Sequence, residues 1–317
     1  MSIDRIGSYA NAQLMFAYIM KAENALDVSN RQVATGKVAD NYAGYRDKTA
    51  IMEAARSASA RADANAAAAN QALARLDVQD AQLSQLSELA NEIRTTITKA
   101  SADRDGTSLM SQLEAYFDQI VGVMNSKDAN GYIYAGDNNQ TAPVVINSLA
   151  DLAALPTVAD AFVNGALKTE VKIGDAQNVE VGLLASDLAT DLFDLLRQVA
   201  QFDAGVNGPF SGTTTPAQQT FIESLIPTAM TAQRNVNAQA AANGIHYQTV
   251  KQAMEQLEAS SVVYKGFVAN IEDVDMAEAL ARLNQNQVAL QAAFQVTSTL
   301  NRLSLLDYLP IACGDPG

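Results

Sequence analysis

Glycine and proline are absent from residues 8–35, 45–105 and 267–309. No other feature narrows the fold of this chain as much. The three runs are rich in Ala, Leu, Gln, Glu and Arg, residues that lose little on entering a helix. Uninterrupted helical composition of this length predicts long rods rather than the short helices of a compact domain. A helix covering most of 45–105 would extend roughly 80 to 90 Å.

The second rod carries a heptad pattern. Ala69, Leu76, Leu83, Ala90 and Ile97 fall seven apart, and Ala72, Gln79, Leu86, Ile93 and Ala100 follow three residues behind them. Nine of the ten are apolar and Gln79 is the break, which is the a/d seam of a coiled-coil-like helix. The last rod repeats the logic with Met276, Leu280, Leu283, Leu290 and Phe294, broken at Gln287, and continues through Val296, Leu300 and Leu303. Pattern alone leaves two readings open: a bundle core inside one monomer, or a seam for assembly between copies. The middle of the chain differs. Prolines at 143, 156 and 209 and frequent glycines divide residues 137–212. Residues 167–173 and 178–183 are predicted as two strands of a hairpin, with a helix starting near Ser186 as N-cap and a linker over 212–216.

Composition removes several function classes. The formal net charge of -14 argues against a nucleic-acid backbone or an anionic membrane surface as partner. One cysteine, Cys313, and one histidine, His246, exclude an intrachain disulfide and leave no ligand set for a metal site. No run reaches the about 20 apolar residues of a membrane span, and the N-terminal stretch is better read as an amphipathic helix than as a cleaved leader. Glu272, Asp273 and Asp275 are expected to form a solvated helix cap rather than a cation site. The segment Asp137-Asn138-Asn139 reads as a turn, His246 as a residue near a helix start, and Tyr132 and Tyr134 as alternating strand positions against a bundle. No catalytic constellation, cofactor site or metal site is expected, and the chain is not read as an enzyme.

The two ends resemble the flagellin and hook-associated protein 3 family. Gln32-Val33-Ala34-Thr35-Gly36-Lys37 is similar to the segment between that family's first two helices, with Gly36 closing the first rod at positive φ. Asn130-Gly131-Tyr132-Ile133-Tyr134-Ala135-Gly136 resembles the segment that follows its long helix, and leans, with Thr141-Ala142-Pro143, towards the hook–filament junction branch. Ile271-Glu272-Asp273-Val274-Asp275-Met276-Ala277-Glu278 resembles the start of the terminal helix. Leu303-Ser304-Leu305-Leu306-Asp307-Tyr308-Leu309 falls between the endings of flagellins and junction proteins. The resemblance covers residues 1–136 and 220–309. The stretch Val38-Ala39-Asp40-Asn41-Tyr42-Ala43-Gly44 departs from it, and residues 310–317 lie beyond it.

This resemblance implies a mainly α fold. Long antiparallel rods from both chain ends form a coiled-coil-like bundle with a small α+β domain inserted. The expected division is an N-terminal assembly arm (1–44), a long-helix bundle region (45–136), a central surface-exposed domain (137–215), a return helix (216–270) and a C-terminal assembly arm (271–317). It implies a structural subunit of the bacterial flagellum, filament flagellin or junction protein, that leaves the cell unfolded without a cleaved leader and polymerises through its terminal helices. Expected partners are further copies, other flagellar axial proteins and an export chaperone. Leu14, Ile19, Leu26 and Val33 on the first rod, with Met276, Leu283, Leu290, Phe294, Leu300 and Leu303 on the last, are expected to form the assembly interface. The competing reading is a cell-surface binding module whose residues 137–215 recognise a glycan or receptor.

Overall fold

A computed structural model describes the backbone of residues 3–174 and 178–306, and the side chains of these except 3–9, 11, 12 and 300–306. Cys313, the 307–309 segment and the hairpin turn at 175–177 lie outside the described residues. The chain is mainly α. Its helices are α1 (Ile3–Thr35), the one-turn α2 (Tyr42–Tyr45), α3 (Thr49–Asp103), α4 (Leu109–Met124), α5 (Leu149–Ala154), α6 (Ala185–Asp203), α7 (Pro216–Glu272) and α8 (Met276–Leu306). Two antiparallel pairs accompany them: β1 (Lys127–Asp128) with β2 (Gly131–Tyr132), and β3 (Glu170–Lys172) with β4 (Asn178–Glu180). The second pair is the predicted hairpin, shorter than expected, in the register Glu170↔Glu180, Val171↔Val179, Lys172↔Asn178.

The chain divides into two units: one of Met1–Ser59 with Val262–Gly317, the other of Ala60–Ser261. The second unit holds the main core. All ten heptad positions of α3 are buried, Gln79 included. Above Gln79, Leu83, Leu86, Ile93 and Ile97 meet Leu113, Phe117 and Ile120 of α4, Leu192, Phe193 and Leu196 of α6, and Ile222, Leu225 and Val236 of α7. Phe193 lies between Phe117 and Phe162, with ring centroids 5.5 and 5.3 Å away. Below Gln79, Ala69, Ala72, Leu73 and Leu76 form a smaller cluster with Ile173, Val179, Val181 and Val250. The alanines let β3–β4 lie close on α3 while burying little area each.

Local chemistry sets the helix boundaries. Thr215 opens α7 with a capping box: its Oγ accepts from Gln218 N (3.3 Å) while Gln218 Oε1 accepts from Thr215 N (2.9 Å). Pro216 then occupies the first helical position, where its missing N–H costs nothing. Helix α7 runs on through Pro227 and Gly244, so His246 sits in mid-helix and not at a helix start. Helix α6 begins at Ala185 with Leu184 at its N-cap, two residues ahead of the expected N-cap Ser186. There Ala185 N donates to Tyr134 O (2.9 Å), and Asn164 Oδ1 accepts from Ser186 N (3.2 Å), so tertiary partners replace a side-chain cap.

Tyr134 is not on a strand. It lies in a turn just after β2, fully buried, and donates its hydroxyl to Gln82 Oε1 (2.6 Å); Gln82 Nε2 in turn donates to Ser126 Oγ (2.9 Å). Burial pushes the phenol well above its ordinary range, against the pull of Arg75, and keeps it a neutral donor. Arg75 Nη2 donates to Ile133 O (2.7 Å). The 130–136 motif thereby anchors the irregular middle of the chain to α3 within this unit.

Candidate assembly site

The first unit is built from α1 and α8, which pack along each other, together with the start of α3 and the end of α7. On α1 the half-buried or buried positions include Met15, Ile19, Ala22, Leu26, Ser29 and Val33, in alternating steps of four and three, with Ala25 and Gln32 beside them. On α8 they are Ala279, Leu283, Asn286, Leu290, Ala293 and Thr297, in the same steps. A polar contact fixes the match: Asn286 Nδ2 donates to Ser29 Oγ (2.7 Å) and to Ala25 O (3.2 Å). Ser29 Oγ itself donates to Ala25 O (3.0 Å).

Many other large apolar side chains of the two helices stay exposed. Leu14, Phe16, Tyr18, Met20 and Val28 are exposed on α1; Met276, Leu280, Val288, Phe294 and Val296 are exposed on α8. Phe16 keeps 65% of its surface and Phe294 49%. Of the ten side chains expected at the interface, Ile19, Leu26, Val33, Leu283 and Leu290 line the arm–arm seam and Leu14, Met276 and Phe294 point away from it. Leu300 and Leu303 fall within α8, but their side chains are outside the described ones. The reading missed Met15, Ser29, Ala279, Asn286 and Ala293 because these helices carry apolar residues on more than one face, and the inner face is the one with small and polar members.

The two motifs at opposite ends of the chain meet at an elbow. Helix α1 stops at Gly36, which has φ +70° and donates to Gln32 O (2.9 Å). The following strand-like step pairs with the α7–α8 junction: Val38 N donates to Glu272 O (2.8 Å), Val274 N donates to Gly36 O (2.9 Å), and Lys37 lies antiparallel to Asp273. Glu272 completes the elbow. Its Oε1 accepts from Lys37 Nζ and its Oε2 from Arg56 Nη2 (2.7 Å), and Arg56 also pairs with Glu53 (3.1 Å).

Glu272 is therefore a buried clamp on two cations and not part of a solvated cap. Asp275 performs the capping, with Oδ1 accepting from Ala277 N (2.9 Å) and Glu278 N (3.2 Å). Bonds from Lys37 and then Arg56 hold the Glu272 carboxyl below the ordinary carboxylate range, outweighing its burial. The same bonds to Glu272 raise Lys37 and Arg56 above their usual values.

The 38–44 stretch serves this elbow. Gln32 Nε2 donates to Val38 O (2.9 Å), Tyr45 Oη donates to Ala39 O (2.6 Å), and Asn41 Oδ1 accepts from Gly44 N (3.1 Å) to cap α2. A Cβ at Gly44 would stand 2.2 Å from that of Ala39, so only glycine allows the fold-back. Among the described residues no three His, Cys, Asp or Glu side chains cluster as a metal site, and no helix is long and apolar enough to cross a membrane.

Comparison with known proteins agrees with this geometry. Residues 226–309 match the family model of the bacterial flagellin C-terminal helical region. No curated protein matches the sequence. The fold is similar to that of a protein assigned as a flagellar hook-associated protein of Vibrio parahaemolyticus, at 16% identity and a TM-score of 0.52, over 69% of this chain and 93% of that one. It is also similar to Bacillus cereus FlgL, at 12% identity and a TM-score of 0.51, over 68% of this chain and 98% of that one. Residues 226–309 thus carry the bacterial flagellin C-terminal helical region, and the chain shares its fold with the two flagellar proteins named above.

Proposed function

We propose that this protein is a structural subunit of the bacterial flagellum that polymerises through α1 and α8. The observation that carries the reading is the two-sidedness of the arms. Their mutual seam is narrow and partly polar, while Phe16, Tyr18, Val288, Phe294 and Val296 remain in water on other faces. Monomers seldom leave so many large apolar side chains exposed on two adjoining helices without a partner for them. Neighbouring subunits that cover these faces would make polymerisation the step that stabilises the arms, and a head-to-tail contact that does not close yields a helical tube.

The work of the subunit is packing rather than catalysis. Two similar solved structures bear hook-associated or FlgL names, which supports a place at the hook–filament junction over the filament itself. Its partners would then be further copies and adjoining axial proteins outside the cell, reached by export without a cleaved leader. An export chaperone would be a further partner. Removal of residues 270–317 tests the assembly: the truncated chain is expected to remain soluble and helical and to form no polymer, and normal polymer from it would refute the reading. Antibody labelling of intact cells under the electron microscope tests the position. Label confined to the filament base supports the junction, and label along the filament supports flagellin.

A further inference from the structure

Gln79 and Asn243 form a buried polar layer between the two apolar clusters of the Ala60–Ser261 unit. Helices α3 and α7 run antiparallel in one register there, pairing Asp63 with Ser261 (2.6 Å), Ser87 with Asn237 (2.5 Å) and Asn91 with Gln233 (3.3 Å). In that register position 79 lies level with the turn of α7 that bears Asn243, and Asn243 Nδ2 donates to Leu76 O (3.1 Å). Gln79 is 0% exposed and Asn243 2%. Among the described residues neither end of the Gln79 amide has a hydrogen-bond partner, and neither has Asn243 Oδ1.

The layer falls where the apolar contacts stop. On one side Leu83, Leu86 and Val236 belong to the large cluster; on the other Ala69, Ala72, Leu76 and Val250 belong to the small one. The next polar group on the large-core side, Gln82, is fully engaged between Tyr134 and Ser126, so the fault lies at Gln79. A buried amide without a partner loses its hydration and gains nothing in return, and opening restores that hydration. Gly244, directly after Asn243, weakens α7 at the same level. The small cluster, eight buried residues with no fully buried aromatic among them, has far less apolar area to resist opening than the large one.

We propose that this amide layer divides the unit into two parts that open independently, and that the smaller part opens first. It comprises the 62–76 stretch of α3, the 247–259 stretch of α7 and the β3–β4 pair. The device gives the long helices a segment that can reshape while the large core stays closed. The inference rests on the packing of this unit and holds whether or not the arms polymerise.

Native-state hydrogen exchange on the dilute full-length chain tests it. Amides of 62–76 and 247–259 are expected to exchange together, and at least tenfold faster than those of 83–97 and 221–236. Tenfold corresponds to about 1.4 kcal/mol of opening free energy. Gln79→Leu with Asn243→Leu is expected to bring the two sets within threefold of each other. Should the double variant fold poorly, Gln79→Met alone is expected to narrow the gap. One common rate across both sets in the unaltered chain would overturn the proposal, as would a tenfold gap that survives the substitutions.

Discussion

The Ala60–Ser261 unit and the arm unit are both helical, yet they are held by different means. The first buries Phe117, Phe193, Leu86 and Ile93 completely, from three helices at once. The arm unit buries mainly small or polar residues, Ser29 and Ala279 among them, and relies on directed contacts: Asn286 on Ser29, and Glu272 between Lys37 and Arg56. Apolar burial is roughly proportional to area and indifferent to direction, so the Ala60–Ser261 unit draws most of its cohesion from its own core. Charge-assisted contacts fix geometry more than they add stability. The arms are thus preset in shape but short of buried area, a combination suited to helices that complete their packing on another molecule.

Substitutions can break or sharpen this contrast. The largest expected effect is in the core: Phe117→Ala should destabilise its unit by about 4 kcal/mol and lower its calorimetric transition by roughly 10 °C. A small shift would mean the core is less cooperative than its burial implies. Next comes Glu272→Gln, which leaves Lys37 and Arg56 facing each other without the carboxylate. It should destabilise the arm unit by about 2 kcal/mol, read as faster proteolysis near residues 36–44 and 273–275, while the core transition stays in place.

Acid should mimic that variant. The Glu272 carboxyl is held below its unfolded value, so its stabilisation is complete above the ordinary carboxylate range of about pH 4. It is lost as pH falls through the folded value. Lys37 is shifted the other way, and its contribution persists until pH rises through its raised value. Proteolysis of the elbow should therefore accelerate on the acid side of pH 4 and not between pH 5 and 9, and Glu272→Gln should erase that acid response. The smallest effect is expected for Asn286→Ala, about 1 kcal/mol on the arm pair, followed by the local exchange of α8 amides.

Regular periodicity made much of this fold legible in the sequence. The α3 heptads named ten positions and all ten are buried, because a long helix facing one continuous partner obeys a single period. The gaps in glycine and proline located α1, α3 and α8 closely, and Gly36 ended α1 as its φ requires. The arms were less legible. Both have apolar residues around much of their circumference, so periodicity cannot tell the face that meets the sister arm from the faces left outside; Phe294 and Leu290 look alike in sequence. The return helix expected over 216–270 came from the resemblance and not from composition, because Gly244 and Pro227 resemble boundaries; α7 runs through both, from Pro216 to Glu272. The elbow was visible only as two separate motifs. That Glu272 reaches Lys37 across 235 positions is a long-range contact with no local signature.

The central claim is that the outer faces of α1 and α8 are where subunits join, and a double substitution tests it most directly. Phe16→Asp with Phe294→Asp places two charges on those faces and leaves the arm–arm seam, the Glu272 elbow and the core untouched. Helical content and the calorimetric transition of the core should match the unaltered chain, while sedimentation and electron microscopy should find no polymer. Polymer of normal length and amount from the doubly charged chain would contradict the account.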